Sequence, residues 1–192
     1  MENAIVKLLK SGQTVFTTKD LSLIWQINNT KYLKTKIFRL VKQMSIKPLK
    51  KGVYVLADDY NVYELANKLF APSYVTTETA LAKNGINFQY YSSVYSFGRY
   101  NRAIKIGQQN FIYRQIKESI LLNPKGIIND GRVTIASAER ALLDTLYLMP
   151  DAYFDNLNSI DWDKCFSLVS IYENKALEKR LNNLFKIYAK QK

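Results

Sequence analysis

Apolar positions recur at helical spacing through the first third of the chain. Ala4, Ile5, Leu8 and Leu9, with Gly12 beyond them, predict a short first helix. Val15 and Phe16 fit a short strand, and Thr17 or Thr18 then caps a second helix with Asp20 in its first turn, where a carboxylate suits the helix dipole. The apolar positions of that helix are Leu21, Ile24, Trp25 and Ile27. Asn28-Asn29 makes a turn, and Thr30 is expected to cap a third helix running to about Met44. Leu33, Ile37, Leu40, Val41 and Met44 fall on one face of it, and Lys31, Tyr32, Thr35, Arg39 and Lys42 on the other. Ile46–Leu56, turning at Lys50-Lys51-Gly52, reads as a hairpin.

Asp58-Asp59 interrupts the pattern and marks the expected boundary between domains 1–59 and 60–192. Asn61 and Glu64 have the spacing of a capping box for a helix with Val62, Leu65, Ala66 and Leu69 inward, closed by Pro72. Thr76 or Thr77 caps a further short helix ahead of Gly85. Residues 90–136 then alternate, predicting strands in Tyr91–Phe97, Ala103–Ile106 and Asn110–Ile116, with a hairpin turn at Asn129-Asp130-Gly131. Helical spacing returns at Ser137, with Ala138, Ala141, Leu142, Thr145 and Leu146 inward, and two more helices follow in 161–172 and 174–190. The last carries a stripe of Leu177, Leu181, Leu184, Phe185 and Tyr188, which with its mixed charges favours packing on its own domain. No repeat or low-complexity linker interrupts the chain. The expected fold is α+β: an N-terminal winged helix-turn-helix, then a mixed C-terminal domain with a small, mainly antiparallel sheet and C-terminal helices.

Charge sharpens the first part of this picture. The 192 residues carry a formal net charge of +12, which favours polyanionic partners. A Lys-, Asn-, Ile- and Tyr-rich composition of the kind AT-rich genomes encode raises lysine everywhere, so the distribution matters more than the total. Residues 1–60 hold 11 basic and 4 acidic side chains; residues 61–192 hold 17 and 12. No acid lies between Asp20 and Asp58, whereas eight Lys or Arg fall between Lys31 and Lys51.

One cysteine, Cys165, excludes an internal disulfide, and the absence of histidine removes the usual zinc and haem ligands. The opening residues MENAIVKLLKSGQ are too polar for a signal peptide, and no apolar run approaches the roughly 18 residues of a membrane span. These features set the expectation of a soluble, cytoplasmic protein with no membrane partner.

A recognition helix buries one face and offers donors on the other. Arg39, the one arginine on helix three, suits bidentate contact with guanine, and Thr35 suits a thymine methyl or a donated hydrogen bond. Lys31 and Lys42 are expected to clamp phosphates, Lys50 and Lys51 to meet the flanking backbone or minor groove from the hairpin tip, and Lys47 to support them. Thr30 and Tyr32, at the start of the helix, complete the candidate DNA-contacting set. Arg99, Arg102 and Lys105 are a possible additional basic surface beside the Tyr-rich run 90–100. The competing readings are a solvated lysine face with no partner, an RNA-binding module and a protein-binding winged helix; stacking aromatics of the single-strand RNA kind are not evident in the block.

Chemistry elsewhere is sparse. Arg140 and Asp144, four apart, fit a structural ion pair better than catalysis; Asp161 and Asp163 fit a helix cap, and Cys165 a small buried hydrophobe. No phosphate loop, dinucleotide-binding glycine pattern, metal cluster or nucleophile–base pair is present, so neither enzymatic activity nor a cofactor is expected.

Three stretches together resemble the AbiEi-type antitoxins of type IV (abortive infection) toxin–antitoxin systems. They are the helical pair leading into Lys51-Gly52-Val53-Tyr54-Val55; residues 66–81, Ala-Asn-Lys-Leu-Phe-Ala-Pro-Ser-Tyr-Val-Thr-Thr-Glu-Thr-Ala-Leu, followed by Asn84-Gly85-Ile86; and residues 135–144, Ile-Ala-Ser-Ala-Glu-Arg-Ala-Leu-Leu-Asp, followed by Leu146-Tyr147-Leu148. The likeness spans roughly residues 5–150; Ala138 stands where many relatives carry proline. It implies a winged-helix domain that binds double-stranded operator DNA and represses its own operon. It also implies a C-terminal domain that opposes a nucleotidyltransferase-like toxin without requiring a stable complex. A stand-alone winged-helix repressor is the alternative, and a nucleic-acid-modifying enzyme a third reading.

Overall fold

A computed structural model of the chain describes residues 3–89 and 91–190. The fold is α+β, and it divides into two compact units, Met1–Leu69 and Phe70–Lys192.

The first unit runs α1 (Ala4–Lys10), β1 (Val15–Thr17), α2 (Thr18–Trp25), α3 (Thr30–Lys42), β2 (Lys47–Lys50), β3 (Val53–Val55) and α4 (Val62–Leu69). The three strands form an antiparallel sheet in the order β1-β3-β2. Leu8, Phe16, Leu21, Trp25, Leu33, Ile37 and Ile46 build the core, with Ile24, Ile27, Leu40 and Val41 packed against it. Helix α2 is capped by Thr17, one of the two expected threonines, and Asp20 does more than face the dipole: it closes a reciprocal capping box with Thr17. Helix α3 differs at both ends. Its cap is Asn29, whose side-chain oxygen accepts from the Tyr32 N–H at 2.9 Å, so Thr30 is the first helical residue instead. It stops at Lys42, and Met44, at φ 55° and 85 % exposed, leaves the buried stripe to which periodicity assigned it. Gly52 turns the β2–β3 hairpin at φ 83°, and its carbonyl accepts from the Thr18 N–H at 2.9 Å, fixing the hairpin against the start of α2.

Helix α4 belongs to this first unit, so the division falls after Leu69 rather than after Asp59. Two side chains explain the difference. The fully buried Glu64 carboxylate accepts from the Thr14 N–H at 2.9 Å and its hydroxyl at 2.7 Å. Lys68 bridges Glu64 and Asp20 at 3.1 and 3.2 Å and donates to the Val15 carbonyl. The expected Asn61–Glu64 box is therefore half made: Asn61 accepts from the Tyr63 and Glu64 N–H groups, while the Asn61 N–H donates to Thr14 Oγ1.

The second unit runs β4 (Ser73–Val75), α5 (Thr77–Lys83), β5 (Ser93–Gly98), β6 (Arg102–Ile106), β7 (Gln109–Gln115), α6 (Glu118–Leu121), β8 (Ile127–Asn129), β9 (Thr134–Ala136), α7 (Ala138–Leu148), α8 (Trp162–Leu168), a 3₁₀ turn (Val169–Tyr172) and α9 (Lys175–Lys190). Six strands form one sheet, in the order β6-β7-β5-β4-β9-β8, with three antiparallel and two parallel pairings. The expected strands and the 129–131 hairpin are present; β4, three residues in the middle of the sheet, has no counterpart in the sequence pattern. Phe185 of α9 packs on Trp162 and Phe166 of α8, so the C-terminal stripe covers its own unit.

The Arg140–Asp144 pair on α7 is entirely buried. Arg140 Nε lies 3.2 Å from Asp144 Oδ1, and the other guanidinium nitrogens donate to the Lys125 and Ile120 carbonyls, both at 2.8 Å, and to the Tyr74 hydroxyl. Asp144 accepts from Thr76 Oγ1 at 2.6 Å and from the Tyr74 and Tyr172 hydroxyls. Thr76 consequently spends its hydroxyl here and makes no side-chain cap for α5. Burial pushes the Asp144 carboxyl up, against the pull of Arg140 and these hydroxyls. Asp144→Ala leaves the guanidinium buried and unpaired, and is expected to lower the unfolding free energy by about 3–5 kcal/mol. An unchanged urea midpoint for this variant would exclude a structural role for the pair.

Candidate nucleic-acid interface

Helix α3 carries the basic block on its solvent side. Thr30, Lys31, Tyr32, Thr35, Arg39 and Lys42 are all exposed, while Leu33 and Ile37 hold the opposite face in the core. Two neighbours absent from the sequence-based set join them: Lys34, and Phe38 at 67 % exposure. At about 100° per residue both sit on the edge of that face. Periodicity therefore contained the signal for Lys34, whereas an aromatic at such a position reads as core until its exposure is seen. With Tyr32 at 57 % exposure, the block does present aromatic surface.

Three side chains of the block have partners within the fold. Lys36, on the same helix, turns inward and lies over the Trp25 ring at 4.7 Å. Burial, and then the charge of Lys7, lower its pKa from the ordinary lysine value. Thr35 donates its hydroxyl proton to the Lys31 carbonyl at 3.0 Å, so it offers an incoming group its methyl and its oxygen lone pairs, not a proton. Lys47 pairs with Asp58 and is drawn to that carboxylate instead of standing as an open cation beside the hairpin tip. Lys50 and Lys51 are exposed there as expected.

Two acids of this unit are spent on closing its fold. Asp20 is consumed by the α2 capping box and Lys68, and Glu64 is buried against Thr14. Between α3 and the hairpin lies a groove of about 440 Å³, with Ile37, Phe38, Pro48 and Tyr54 as its apolar lining and Lys34 and Lys51 as its cations.

In the second unit, Arg99 and Arg102 line one cleft, whereas Lys105, three residues along β6 from Arg102, lies on the opposite strand face. Tyr90 lies outside the described residues, and Tyr95 at mid-strand packs against Tyr91. The other titratable groups have structural partners. Asp161 caps α8 by accepting from the Lys164 N–H at 3.0 Å. Burial raises the Glu139 carboxyl, but hydrogen bonds from Lys164, its own backbone and Ser137 outweigh it and leave its pKa below the ordinary value. Burial pushes the Cys165 thiol up to about 12, far from a reactive thiolate. Among the described residues no group of three or more His, Cys, Asp or Glu is placed to hold a metal ion, and no helix is long and apolar enough to cross a membrane.

No protein-family model matches this chain, and no curated protein sequence matches it.

Proposed function

We propose that the first unit is a winged helix-turn-helix that binds double-stranded operator DNA, with α3 entering the major groove and the β2–β3 hairpin as the wing. We further propose that the whole chain is an antitoxin and autorepressor of the AbiEi type. One observation carries the DNA-binding reading: α3 and the hairpin tip expose Lys31, Lys34, Arg39, Lys42, Lys50 and Lys51 in a stretch without any acid, while Asp20 and Glu64 are engaged inside the unit and Asp58 with Lys47. Arg39 presents the planar fork that matches guanine O6 and N7, and Thr35 the methyl that meets thymine. The lysines set register on the phosphates.

The antitoxin half of the reading rests on the resemblance. It gains support from where the shared residues fall: Tyr74, Thr76, Arg140 and Asp144, drawn from two separate motifs, meet in one buried network. Motif residues that hold a framework together have a physical reason to recur as a set. Being buried, these four cannot themselves touch a toxin, so neutralisation falls to surface residues outside this network.

Six cationic contacts predict a log–log salt slope of about −5 for binding to the protein's own promoter duplex; an affinity indifferent to salt is incompatible with the proposal. Arg39→Ala should flatten the preference for promoter over scrambled duplex, whereas Lys51→Ala should weaken both alike. Asp58→Asn frees Lys47 and removes a repelling carboxylate, so it should tighten binding about two- to tenfold at low salt, an advantage that shrinks as salt rises. Co-expression with the product of the neighbouring reading frame tests the second half: the chain should relieve the growth arrest that product causes. Arg39→Ala should keep this relief while losing repression.

A further inference from the structure

The cleft at the β5–β6 turn of the second unit has no part in the reading above. It is formed by Phe70, Gly98, Arg99, Tyr100, Arg102 and Tyr113, with a volume of about 200 Å³. Its principal cation is Arg102, whose guanidinium lies over the Phe70 ring at 5.2 Å and the Tyr100 ring at 5.6 Å. Such ring contacts are electrostatic and leave the guanidinium's fork of N–H donors free to meet an oxyanion. Among the described residues no carboxylate pairs with Arg102 and no group accepts a hydrogen bond from its side chain, although the side chain is exposed. Its orientation is nonetheless supported from below. Phe70 stands edge-on to the buried Tyr113, their centroids 4.9 Å apart.

A second arginine lines the same cleft. Arg99 donates one nitrogen to Glu118 at 2.6 Å, and both side chains are at least half exposed, so the pair is solvent-screened and its remaining donors are available. Gly98 contributes no side chain to the floor, and a Cβ there would meet nothing closer than 3.8 Å. Tyr100 stands at the rim, 62 % exposed.

We infer that this cleft binds a nucleotide through its phosphate. Arg102 grips two phosphate oxygens with its fork and Arg99 supplies the second positive charge. The volume is below the roughly 300–1,000 Å³ of pockets that enclose a whole drug-sized ligand. It therefore takes the phosphate and sugar, and the base rests outside against Tyr100, where stacking tolerates any base. Lysine in place of Arg102 would supply charge without the fork or the flat faces. The inference is independent of DNA binding by α3.

The test is an NMR titration of the ¹⁵N-labelled full chain with 5′-AMP, adenosine and inorganic phosphate at constant ionic strength. AMP should saturate and shift the Gly98, Tyr100 and Arg102 amides, with adenosine and phosphate each at least about tenfold weaker. Arg102→Gln and Arg102→Lys should both weaken AMP at least about tenfold, while the melting temperature falls by no more than about 4 °C, the loss of exposed ring contacts. Tyr100→Leu should weaken AMP and leave inorganic phosphate unchanged. A failure of AMP to saturate, equal affinity for AMP and phosphate, or unchanged AMP binding by Arg102→Gln would each overturn the inference. Shifts confined to α3 and the β2–β3 hairpin would also overturn it, since the nucleotide would then be acting as a generic anion on the first unit.

Discussion

The second unit is organised around a charge pair that water never reaches. Two ions removed from solvent lose several kcal/mol each, and their mutual attraction offsets that loss only when geometry and hydrogen bonding are complete. Arg140 and Asp144 meet this condition by drawing on elements far apart in the chain. The guanidinium takes carbonyls from Ile120 at the end of α6 and Lys125 in the following loop, and the carboxylate takes hydroxyls from Thr76 beside β4 and Tyr172 in the 3₁₀ turn. Tyr74 serves both partners. Its ring and that of Tyr172 lie about the guanidinium as well, at 5.5 and 5.4 Å. The requirement for satisfaction thus fixes where a central strand, a loop, two helices and a turn must meet. Gly126 belongs to the same constraint: at φ 72°, a Cβ there would come within 2.9 Å of Arg140 Cβ.

Much of the architecture was legible where local periodicity and local capping agree. Helices α1, α2 and α7 and the strands of 93–115 follow their apolar spacing, and the i,i+4 relation of Arg140 to Asp144 read correctly as a structural pair. What escaped is what depends on distant partners. Strand β4 is three residues long, and its identity as a strand comes from β5 on one side and β9 on the other. Thr76 and Glu64 have the spacing of caps, yet Asp144 and Thr14, remote in sequence, claim their polar atoms. Spacing alone overruns the end of α3, because Met44 continues the apolar pattern past the point where the backbone turns left-handed.

The candidate interface divides along the same line. Phase along α3 separates the outward Lys31, Thr35, Arg39 and Lys42 from the inward Leu33 and Ile37, and spacing alone suffices for that. Which cations are open to a partner is a tertiary matter. Lys36 and Lys47 look like their neighbours in sequence, but one lies on Trp25 and the other is held by Asp58. The surface charge of this unit is therefore an arrangement as much as a composition: Asp20 and Glu64 are spent on closing the fold, while Asp58 holds one hairpin lysine at the surface.

The lock between α4 and β1 bears on how such a protein can be recombined. Asp58-Asp59 looks like the natural seam, yet a crossover there would carry Glu64 and Lys68 away from the Thr14 hydroxyl and N–H and the Val15 carbonyl that they satisfy. A foreign second half would then have to bring its own carboxylate and ammonium to the same two positions. Genetic exchange at the Leu69–Phe70 step has no such demand, since the lock travels intact with the first half. The portable cassette is residues 1–69, and its linker ends a helix later than the acidic pair suggests.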